Sequence, residues 1–325
     1  MYDFAVVGAG PPGSRFARRA AEAGRDVVAF EKGSVGEPLA CSGHVSDDVW
    51  EYVPDDAREE LLQNRVYGAR FHVDGPGSRA YPFYKHDPVS NVIDRVGLDR
   101  TLADHAREAG ADVRESHTVV GVEERSDRVV VEVRTPADEV EEVEARMVAG
   151  CDGPTSRVRR AFDLPEPEEL LHGVLGFDGA PDAGDLVDVH LTAPTFFAWR
   201  IPRGDAGVEY GLAAPPSEDV SAGFDRLTDA YDATTERRCS GAIPIGPPAR
   251  TTSDRGFLIA GWREELATEI RFGKAIRRCY SLPEPVQHVG LRALSGEIGV
   301  HMDEPSSFFS ASNLRALFSR GEPPN

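Results

Sequence analysis

The sequence is poor in lysine, and acidic residues strongly outnumber basic ones. Only three of its 36 basic residues are lysines, and its formal net charge is −19 at pH 7. So acidic a chain repels nucleic acid and anionic headgroups, which argues against both as default partners. Acid-rich, lysine-poor composition is typical of a protein that stays soluble in high salt, where self-repulsion is screened. An ordinary acidic cytosolic protein is the alternative.

Cysteines are few, and long apolar runs are missing. The four cysteines, Cys41, Cys151, Cys239 and Cys279, form no CxxC pair and no metal-ligand spacing, so no metal site is expected. Without a signal peptide, a reducing cytoplasmic setting is favoured over a disulfide framework. Because no apolar run reaches the length of a membrane span, we expect any membrane contact to be peripheral.

The strongest motif that is present lies at the N-terminus. An apolar strand over 4–7 runs into a G-x-G-x-x-G loop, a helix follows over 14–23, and a second strand over 26–30 ends in Glu31. This order of elements is typical of the βαβ unit that binds dinucleotides. The sequence therefore predicts a nucleotide site at the first strand–helix turn.

Each glycine of this loop has its own physical role. Gly8 permits the tight turn, Gly10 lets the backbone approach a pyrophosphate, and Gly13 lets the helix pack close to the strand. Free N–H groups and the positive end of the helix dipole then face the phosphates. Glu31 accepts hydrogen bonds from a ribose diol and repels a 2′-phosphate, which leaves FAD and NAD, and the N-terminal position favours FAD. The cofactor contacts expected here are Gly8, Ala9, Gly10, Pro12, Gly13, Glu31 and Lys32.

A loop punctuated by glycine and proline follows over residues 33–44. A loop that leaves the second strand of such a fold stays near the cofactor. We therefore expect Cys41, Ser42 and Gly43 to face a flavin ring, with Cys41 as the candidate catalytic residue. A buried structural cysteine is the alternative, and His44 is interpreted as a satisfied polar residue.

The middle of the chain alternates predicted helices and strands. Helices are predicted over 47–64 and 97–111, strands over 69–73 and 141–149, and a hairpin over 113–124 and 128–134. Tyr81 and Phe83 lie in an aromatic-dense stretch that predicts an apolar pocket, with core packing as an equally good interpretation. Arg95 precedes the second helix, where it can meet a phosphate or carboxylate.

Two further motifs carry a resemblance to a known fold. Residues 95–102 read R-x-x-x-D-x-x-L, and residues 150–159 read G-x-D-G-x-x-S-x-x-R. After a βαβ unit that ends in glutamate, they resemble FAD-dependent reductases and hydroxylases of the p-hydroxybenzoate hydroxylase fold. The resemblance implies an α/β fold, with a Rossmann-type FAD-binding domain and an inserted antiparallel-sheet substrate domain. The further cofactor contacts expected are Arg95, Val119, Asp152 and Gly153.

A third motif narrows the resemblance to one family. Alternating stretches over 186–192, 196–201 and 208–213 predict antiparallel strands. Within them, residues 194–202 read P-x-x-F-x-W-x-I-P, which resembles the P-x-x-Y-x-W-x-F-P signature of geranylgeranyl reductases. The cysteine loop matches that family too. The archaeal digeranylgeranylglycerophospholipid reductases are the most similar branch, over residues 1–261.

The resemblance implies a discontinuous domain organisation. The FAD-binding domain is predicted to comprise 1–75, 92–165 and 245–262, the substrate domain 76–91 and 166–244, and an atypical, poorly ordered tail 263–325. The family has Gly-Asp-Ala and then a glycine-rich helix where this sequence has Gly261, Trp262 and Arg263. From 263 onward eight basic and eight acidic residues cancel. We interpret the tail as replaced sequence, for example after a frameshift, with a divergent but functional ending as the alternative.

The family resemblance also implies a function. It is the FAD-dependent reduction of C=C bonds in geranylgeranyl chains of membrane-lipid precursors, by hydride transfer from the flavin. The prenyl-lipid substrate is expected to contact Tyr81, Phe83, Phe197 and Trp199. NAD(P)H or a ferredoxin-like protein is expected as reductant, and the location as cytoplasmic with peripheral membrane contact. A monooxygenase of the same fold and an inactive family member are the alternatives, and the oligomeric state is open.

Overall fold

The structure is a computed structural model that describes residues 1–39, 41–245, 251–258 and 282–296. Within those ranges, the chain forms two compact units. The first unit contains residues 1–39, 95–169, 244–245 and 251–258, and the second contains residues 41–94, 170–243 and 282–296. Each unit is built around its own seven-stranded sheet.

The described elements follow one another along the chain as strands with interspersed helices. The strands are β1 (Tyr2–Val7), β2 (Val27–Phe30), β3 (His44–Val45), β4 (Leu62–Val66), β5 (Gly68–His72), β6 (Ala80–Tyr84), β7 (Ser90–Ile93), β8 (Asp112–Arg114), β9 (Thr118–Glu124), β10 (Val129–Arg134), β11 (Val140–Gly150), β12 (Glu169–Asp178), β13 (Leu186–His190), β14 (Ala198–Pro202), β15 (Val208–Ala214), β16 (Arg237–Ile245) and β17 (Gly256–Leu258). The helices are α1 (Pro11–Glu22), α2 (Asp55–Leu61), α3 (Arg95–Glu108), α4 (Arg157–Ala161), α5 (Val220–Ala230) and α6 (Glu284–Leu294), with a 3₁₀ helix over Asp47–Glu51.

The first unit has the doubly covered sheet expected of a nucleotide-binding fold. Its strands run in the order β8-β2-β1-β11-β10-β9, and β17 also pairs with β11. The pairs that join β8, β2, β1, β11 and β17 are parallel, whereas β9, β10 and β11 form an antiparallel meander. Small residues bring helices α1 and α3 close to one face, where Ala17 and Ala106 share a core with Val6 of β1. Ala5 and Val7, on the other face, pack with α4 and the meander.

The second unit contains the predicted antiparallel sheet. Its order is β16-β12-β15-β14-β13-β5-β6, and β3, β7 and β4 form a separate three-stranded sheet. The three alternating stretches become β13, β14 and β15, which pair antiparallel as expected. Strand β5 joins parallel to β13, which extends the sheet with residues far earlier in the chain. Helix α5 packs against β15, where Phe224 is fully buried.

Two secondary-structure predictions were wrong in part. The single helix predicted over 47–64 is a 3₁₀ helix, then α2, then strand β4, because Pro54 interrupts the helix and β4 pairs with β7. The hairpin strand predicted over 113–124 is split at Ser116, whose φ is +57°. Its first part, β8, pairs with β2, and its second part, β9, forms the hairpin with β10.

The compact units differ from the predicted domain boundaries at residues 41–75. These residues lie with the second unit because β4 pairs with β7 and β5 pairs with both β6 and β13. The assignment of the two units as FAD-binding and substrate domains stays a prediction. Of the predicted tail, residues 282–296 are described and include α6, whose His288 Nδ1 lies 2.7 Å from the Tyr81 hydroxyl. The motif break at Gly261 lies outside the described residues.

Candidate functional site

The glycine loop of the first unit has the geometry that its sequence predicts. Gly8 has φ +93°, and a Cβ there would overlap the carbonyl group of Cys151. A Cβ at Gly13 would overlap the carbonyl oxygen of Gly8. At Gly10, by contrast, no described heavy atom lies within 4 Å of the place where a Cβ would stand. Gly8 and Gly13 therefore close the turn, and Gly10 leaves its surface open to a ligand.

Hydrogen bonds fix this turn to its neighbours. The Ser14 hydroxyl donates to the Ala9 carbonyl at 2.7 Å, and the Glu31 carboxylate accepts from the Ala9 N–H at 2.9 Å. The start of α1 offers fewer donors than predicted, because Pro11 and Pro12 occupy its first two positions and carry no N–H. The carboxylate after β2 therefore lies directly beside the loop, as the ribose-binding prediction requires.

Asp152 and Gly153 lie beside the same turn, but the carboxylate of Asp152 already has partners. It accepts hydrogen bonds from the Ser156 hydroxyl and, at 2.6 Å, from the Arg157 N–H, and so fixes the start of α4. Its Cα is 3.2 Å from the place of a Cβ on Gly8. Burial, with Asp152 adding to it, raises the pKa of the neighbouring Cys151 thiol to about 12, so this thiol stays protonated.

Three other predicted cofactor contacts have different placements. Arg95 forms a partly buried ion pair with Asp99, one helical turn along α3. Val119 is buried in the core of the first unit, and Lys32 is exposed beside Glu31. Their contact with a cofactor stays a prediction. The residues around the loop nevertheless fit the ADP half of FAD, since they combine an open backbone, a helix start and a carboxylate.

The second unit contains an apolar cavity of about 520 Å³. Its volume lies within the usual range of small-molecule sites, roughly 300–1,000 Å³. The residues that line it are Cys41, Ser42, His44, Ala69, Gly173, Val174, Leu175, Val187, Val189, Phe196, Phe197, Trp199, Ile201, Cys239, Ser240, Gly241 and Ile243. Most of them are apolar, so the cavity suits a hydrocarbon group better than a charged one.

The cavity brings together several predicted site residues from distant parts of the sequence. The rings of Phe197 and Trp199 meet edge to face, with centroids 6.0 Å apart, and Phe197 also stacks on Phe196. Cys41, which is exposed, and Ser42 reach the same cavity from the loop before β3. Gly43 keeps that loop close to β7, because a Cβ there would overlap the carbonyl oxygen of Ile93.

Tyr81 and Phe83 are not among the residues that line this cavity. They are buried in a separate cluster with Val73, and the Phe83 ring meets Phe71 at 5.1 Å. Core packing, the alternative interpretation of this aromatic stretch, describes their placement. Their contact with a substrate stays a prediction that this cavity does not support.

His44 is a satisfied polar residue at the cavity. Its ring Nε2 lies 2.6 Å from the Ser90 hydroxyl, and its backbone N–H donates to the Ser42 hydroxyl at 2.9 Å. Burial lowers the pKa of His44 to about 4, so the imidazole is neutral at neutral pH. A neutral imidazole keeps this part of the wall uncharged.

Sequence reasoning missed Glu209, which lies on β15 behind the cavity wall. It is fully buried, and its Oε1 accepts the indole N–H of Trp199 at 2.9 Å. Burial raises the pKa of Glu209, while Trp199 and Arg203 oppose that shift. The only signal in the sequence was a charged residue within an otherwise apolar strand.

The opposite face of the same sheet carries an ionic network. Val187 and Val189 line the cavity, so Asp188 between them points to the other side. Asp188 lies 2.9 Å from His72 Nε2 and 3.0 Å from Arg70 Nε. Burial alone would raise the pKa of Asp188, but His72, Arg70 and Arg200 hold it below its ordinary value. We call these two sides the pocket face and the ionic face.

Membrane-spanning helices and metal clusters are both missing from the described ranges. No described helix is long and apolar enough to cross a membrane. In the same part of the chain, no group of three or more histidine, cysteine and acidic side chains is arranged to hold a metal ion.

Comparisons with known proteins agree with the geometry. The family model of the FAD binding domain matches residues 1–181. Digeranylgeranylglycerophospholipid reductase 2 of Methanothermobacter thermautotrophicus is 30% identical over 276 residues, which cover 80% of this chain and 70% of the relative. The digeranylgeranylglycerophospholipid reductase of Methanosarcina mazei is 27% identical over 278 residues, with coverages of 80% and 68%.

Solved structures agree on the fold. A geranylgeranyl bacteriochlorophyll reductase-like protein from Thermoplasma acidophilum has a TM-score of 0.69 at 21% identity, and the match covers 97% of this chain and 82% of the other. The flavin-dependent halogenase CmlS has a TM-score of 0.62 at 19% identity, with coverages of 89% and 59%. The predicted fold, that of FAD-binding flavoproteins similar to p-hydroxybenzoate hydroxylase, is confirmed.

Proposed function

The chain belongs to the geranylgeranyl reductase family of proteins with an FAD-binding domain, and we propose that it reduces C=C bonds of geranylgeranyl chains in membrane-lipid precursors. The observation that carries this proposal is the apolar cavity walled by Phe197, Trp199 and Ile201. A prenyl chain gains free energy when such a cavity removes it from water. Phe197 offers a ring without a hydroxyl, so its contribution is apolar contact.

The protein's own residues supply binding and exclusion of water. The open backbone at Gly10 and the carboxylate of Glu31 would hold the ADP half of FAD. When bound and reduced, FAD supplies the hydride for alkene reduction. The cavity orients the prenyl chain. Its wall has no charged side chain and excludes water, which limits side reactions.

Other parts of the proposal rest on the family alone. NAD(P)H or a ferredoxin-like protein is proposed as the electron donor, and the lipid substrate makes peripheral membrane contact a reasonable expectation for a cytoplasmic enzyme. Cys41 is exposed at the cavity and stays the candidate for a catalytic role. No residue is assigned as the proton donor.

FAD binding can be tested with a pair of glycine variants. Gly10→Ala places a methyl group where the protein has open space, so the fold should survive while the pyrophosphate is kept away. We expect about tenfold or greater loss of FAD affinity, equivalent to at least about 1.4 kcal/mol. Gly290→Ala in α6 is the matched control, because it adds the same methyl group at an equally open glycine of the second unit. Equal FAD affinities for both variants would contradict the predicted site.

Reductase activity requires a separate experiment. The protein is loaded with FAD, reduced with dithionite without oxygen, and incubated with digeranylgeranylglycerophospholipid. Mass spectrometry should detect products that have gained one pair of hydrogen atoms for each double bond reduced. An unchanged lipid, with FAD retained and reduced, would count against this substrate class.

An inactive family member is the second candidate. The departure from the Gly-Asp-Ala pattern after Gly261 favours it, because that aspartate would otherwise hold the FAD ribityl chain. A visible absorption spectrum after incubation with FAD and desalting separates the two. A colourless protein would favour the inactive member, and retained flavin bands would favour the reductase.

A further inference from the structure

Glu209 is an unusual residue to lie directly behind an apolar cavity wall. Its side chain is fully buried on the pocket face, and its Oε1 accepts the Trp199 indole N–H at 2.9 Å. Its Oε2 has no hydrogen-bond partner in the part of the chain that the structure describes. The Gly43 N–H and the Ser42 hydroxyl are donors close enough to lower the pKa of this carboxyl by hydrogen bonding, although neither reaches Oε2 in ordinary geometry. A fully buried polar atom left unpaired is costly, which calls for a reason.

Strand pairing explains how the carboxyl reaches the indole. In the register of β14 and β15, Trp199 is paired with Gly211 and Ile201 with Glu209. A Cβ on Gly211 would overlap the indole ring, so glycine at this position lets the ring lie across β15. The indole N–H then reaches Glu209, one row further along the same face.

The charges around Glu209 are few. Arg203 attracts the carboxylate, but its Nε donates to Gln63 at 3.1 Å and its guanidinium lies 4.5 Å from the Phe177 ring centroid. Asp94 competes for the same guanidinium. Burial raises the pKa of Glu209, which favours the neutral carboxyl. In either protonation state the carboxyl has acceptor oxygens for the indole N–H and for the donors of the Ser42 and Gly43 loop.

We infer that Glu209 is a positioning residue that fixes two parts of the cavity wall at once, the indole of Trp199 and the loop of Ser42 and Gly43. Both Trp199 and Ser42 line the cavity, and Glu209 lies behind them without lining it. The inference rests on the proposed function only for the identity of the occupant. Its physical content is that one buried carboxyl keeps a large ring and a loop in a single arrangement, which gives the cavity a defined shape.

The test uses the fluorescence of Trp199 in the full chain with Trp50→Phe and Trp262→Phe, which leaves one indole. Glu209→Leu removes the acceptor, whereas Glu209→Gln keeps an acceptor and a donor of similar shape. We expect a red-shifted emission and severalfold faster acrylamide quenching in the Leu variant, and near-original values in the Gln variant. Tyr231→Phe is the matched control, because it removes one partly buried hydrogen bond, to His190 Nε2 at 2.9 Å, on the ionic face. The inference is overturned if the Leu variant behaves like Tyr231→Phe.

A pH titration decides the question if the Leu variant does not fold. Raising the pH favours the ionised carboxyl of Glu209, and the Trp199 emission of the single-tryptophan protein should shift as a negative charge develops beside the indole. The imidazole of His44 is neutral at neutral pH, with a pKa lowered to about 4. Arg203 faces the Glu209 carboxyl, and Asp94 faces Arg203. The Gln variant should show no such shift, and identical titrations of the two proteins would overturn the inference.

A kinetic measurement links the wall to the proposed reaction. With digeranylgeranylglycerophospholipid as substrate, Glu209→Leu should raise KM about tenfold and change kcat little, because the loss affects binding of the chain. A fall in kcat with unchanged KM would contradict a positioning role. If neither the original protein nor any variant turns over this lipid, the proposed function fails. The fluorescence result still decides the role of Glu209.

Discussion

The pocket face and the ionic face of the second unit each bury a carboxyl group, and they stabilise it in opposite ways. Asp188 on the ionic face lies within 3.0 Å of both His72 and Arg70, and its pKa is below the ordinary value. Glu209 on the pocket face accepts the N–H of the neutral Trp199 indole at 2.9 Å, and its pKa is above the ordinary value. Burial acts in the same direction on both groups, so the number of charged partners decides the sign.

Because of this difference, the ionic face suits a role in stability and the pocket face suits the binding of an apolar chain. The ionic face is a closed network in which each charge depends on the others, so it suits a role in stability. The pocket face avoids charge, since its histidine and its carboxyl are both biased towards their neutral forms. A wall without charged groups can bind an apolar prenyl chain without the free-energy cost of desolvating ions. Three predictions test this comparison.

The largest effect is expected on the ionic face. Asp188→Ala leaves Arg70, Arg200 and His72 without their shared partner, and breaking such a buried set typically costs about 3 kcal/mol or more. Urea unfolding should report this loss as a lower midpoint. Asp188→Asn, which keeps shape and one acceptor, should cost less. A loss below about 1 kcal/mol for Asp188→Ala would mean that the network contributes little.

A smaller effect is expected from Gly211 on the pocket face. Gly211→Ala places a methyl group against the Trp199 indole, and overpacking of this kind costs about 1–3 kcal/mol. The ring must move, so its hydrogen bond to Glu209 should break and the cavity should change shape. Trp199 fluorescence should shift to the red, as for Glu209→Leu. A crystal structure of the variant with Trp199 in its original place would contradict this account.

The smallest effect is expected on the pH dependence of the free energy of unfolding. Because the pKa of folded Glu209 is raised above its ordinary value of 4.5, its contribution to stability is complete below that pH. The contribution is lost as the pH rises through the folded pKa. Glu209→Gln should remove this decline, at a cost of about 1 kcal/mol or less at acid pH, because the amide keeps the hydrogen bond. The free energy of unfolding, measured against pH in both proteins, tests the sign, and parallel curves would contradict it.

Much of the fold could be predicted from periodicity and from local chemistry. The glycine loop with Glu31 predicted a strand, a helix and a second strand, and alternating residues predicted β13, β14 and β15. Local patterns did not predict β4, because its pairing with β7 depends on residues far away in the chain. They left a pocket and core packing equally open for Tyr81 and Phe83, and the structure places both in a buried cluster of their own.

The sequence by itself determined the backbone of the first site. Gly8, with its positive φ, and Gly13, with its close contact, are demanded by local geometry that no other residue type satisfies. The tertiary structure alone decided the second site. Trp199 meets the valines of β13 because β13 and β14 pair in one register, and Cys41 reaches the same cavity from the loop before β3, which pairs with β7 in another sheet. That register also places Glu209 and Asp188 on opposite faces, where surroundings rather than residue type set their charge.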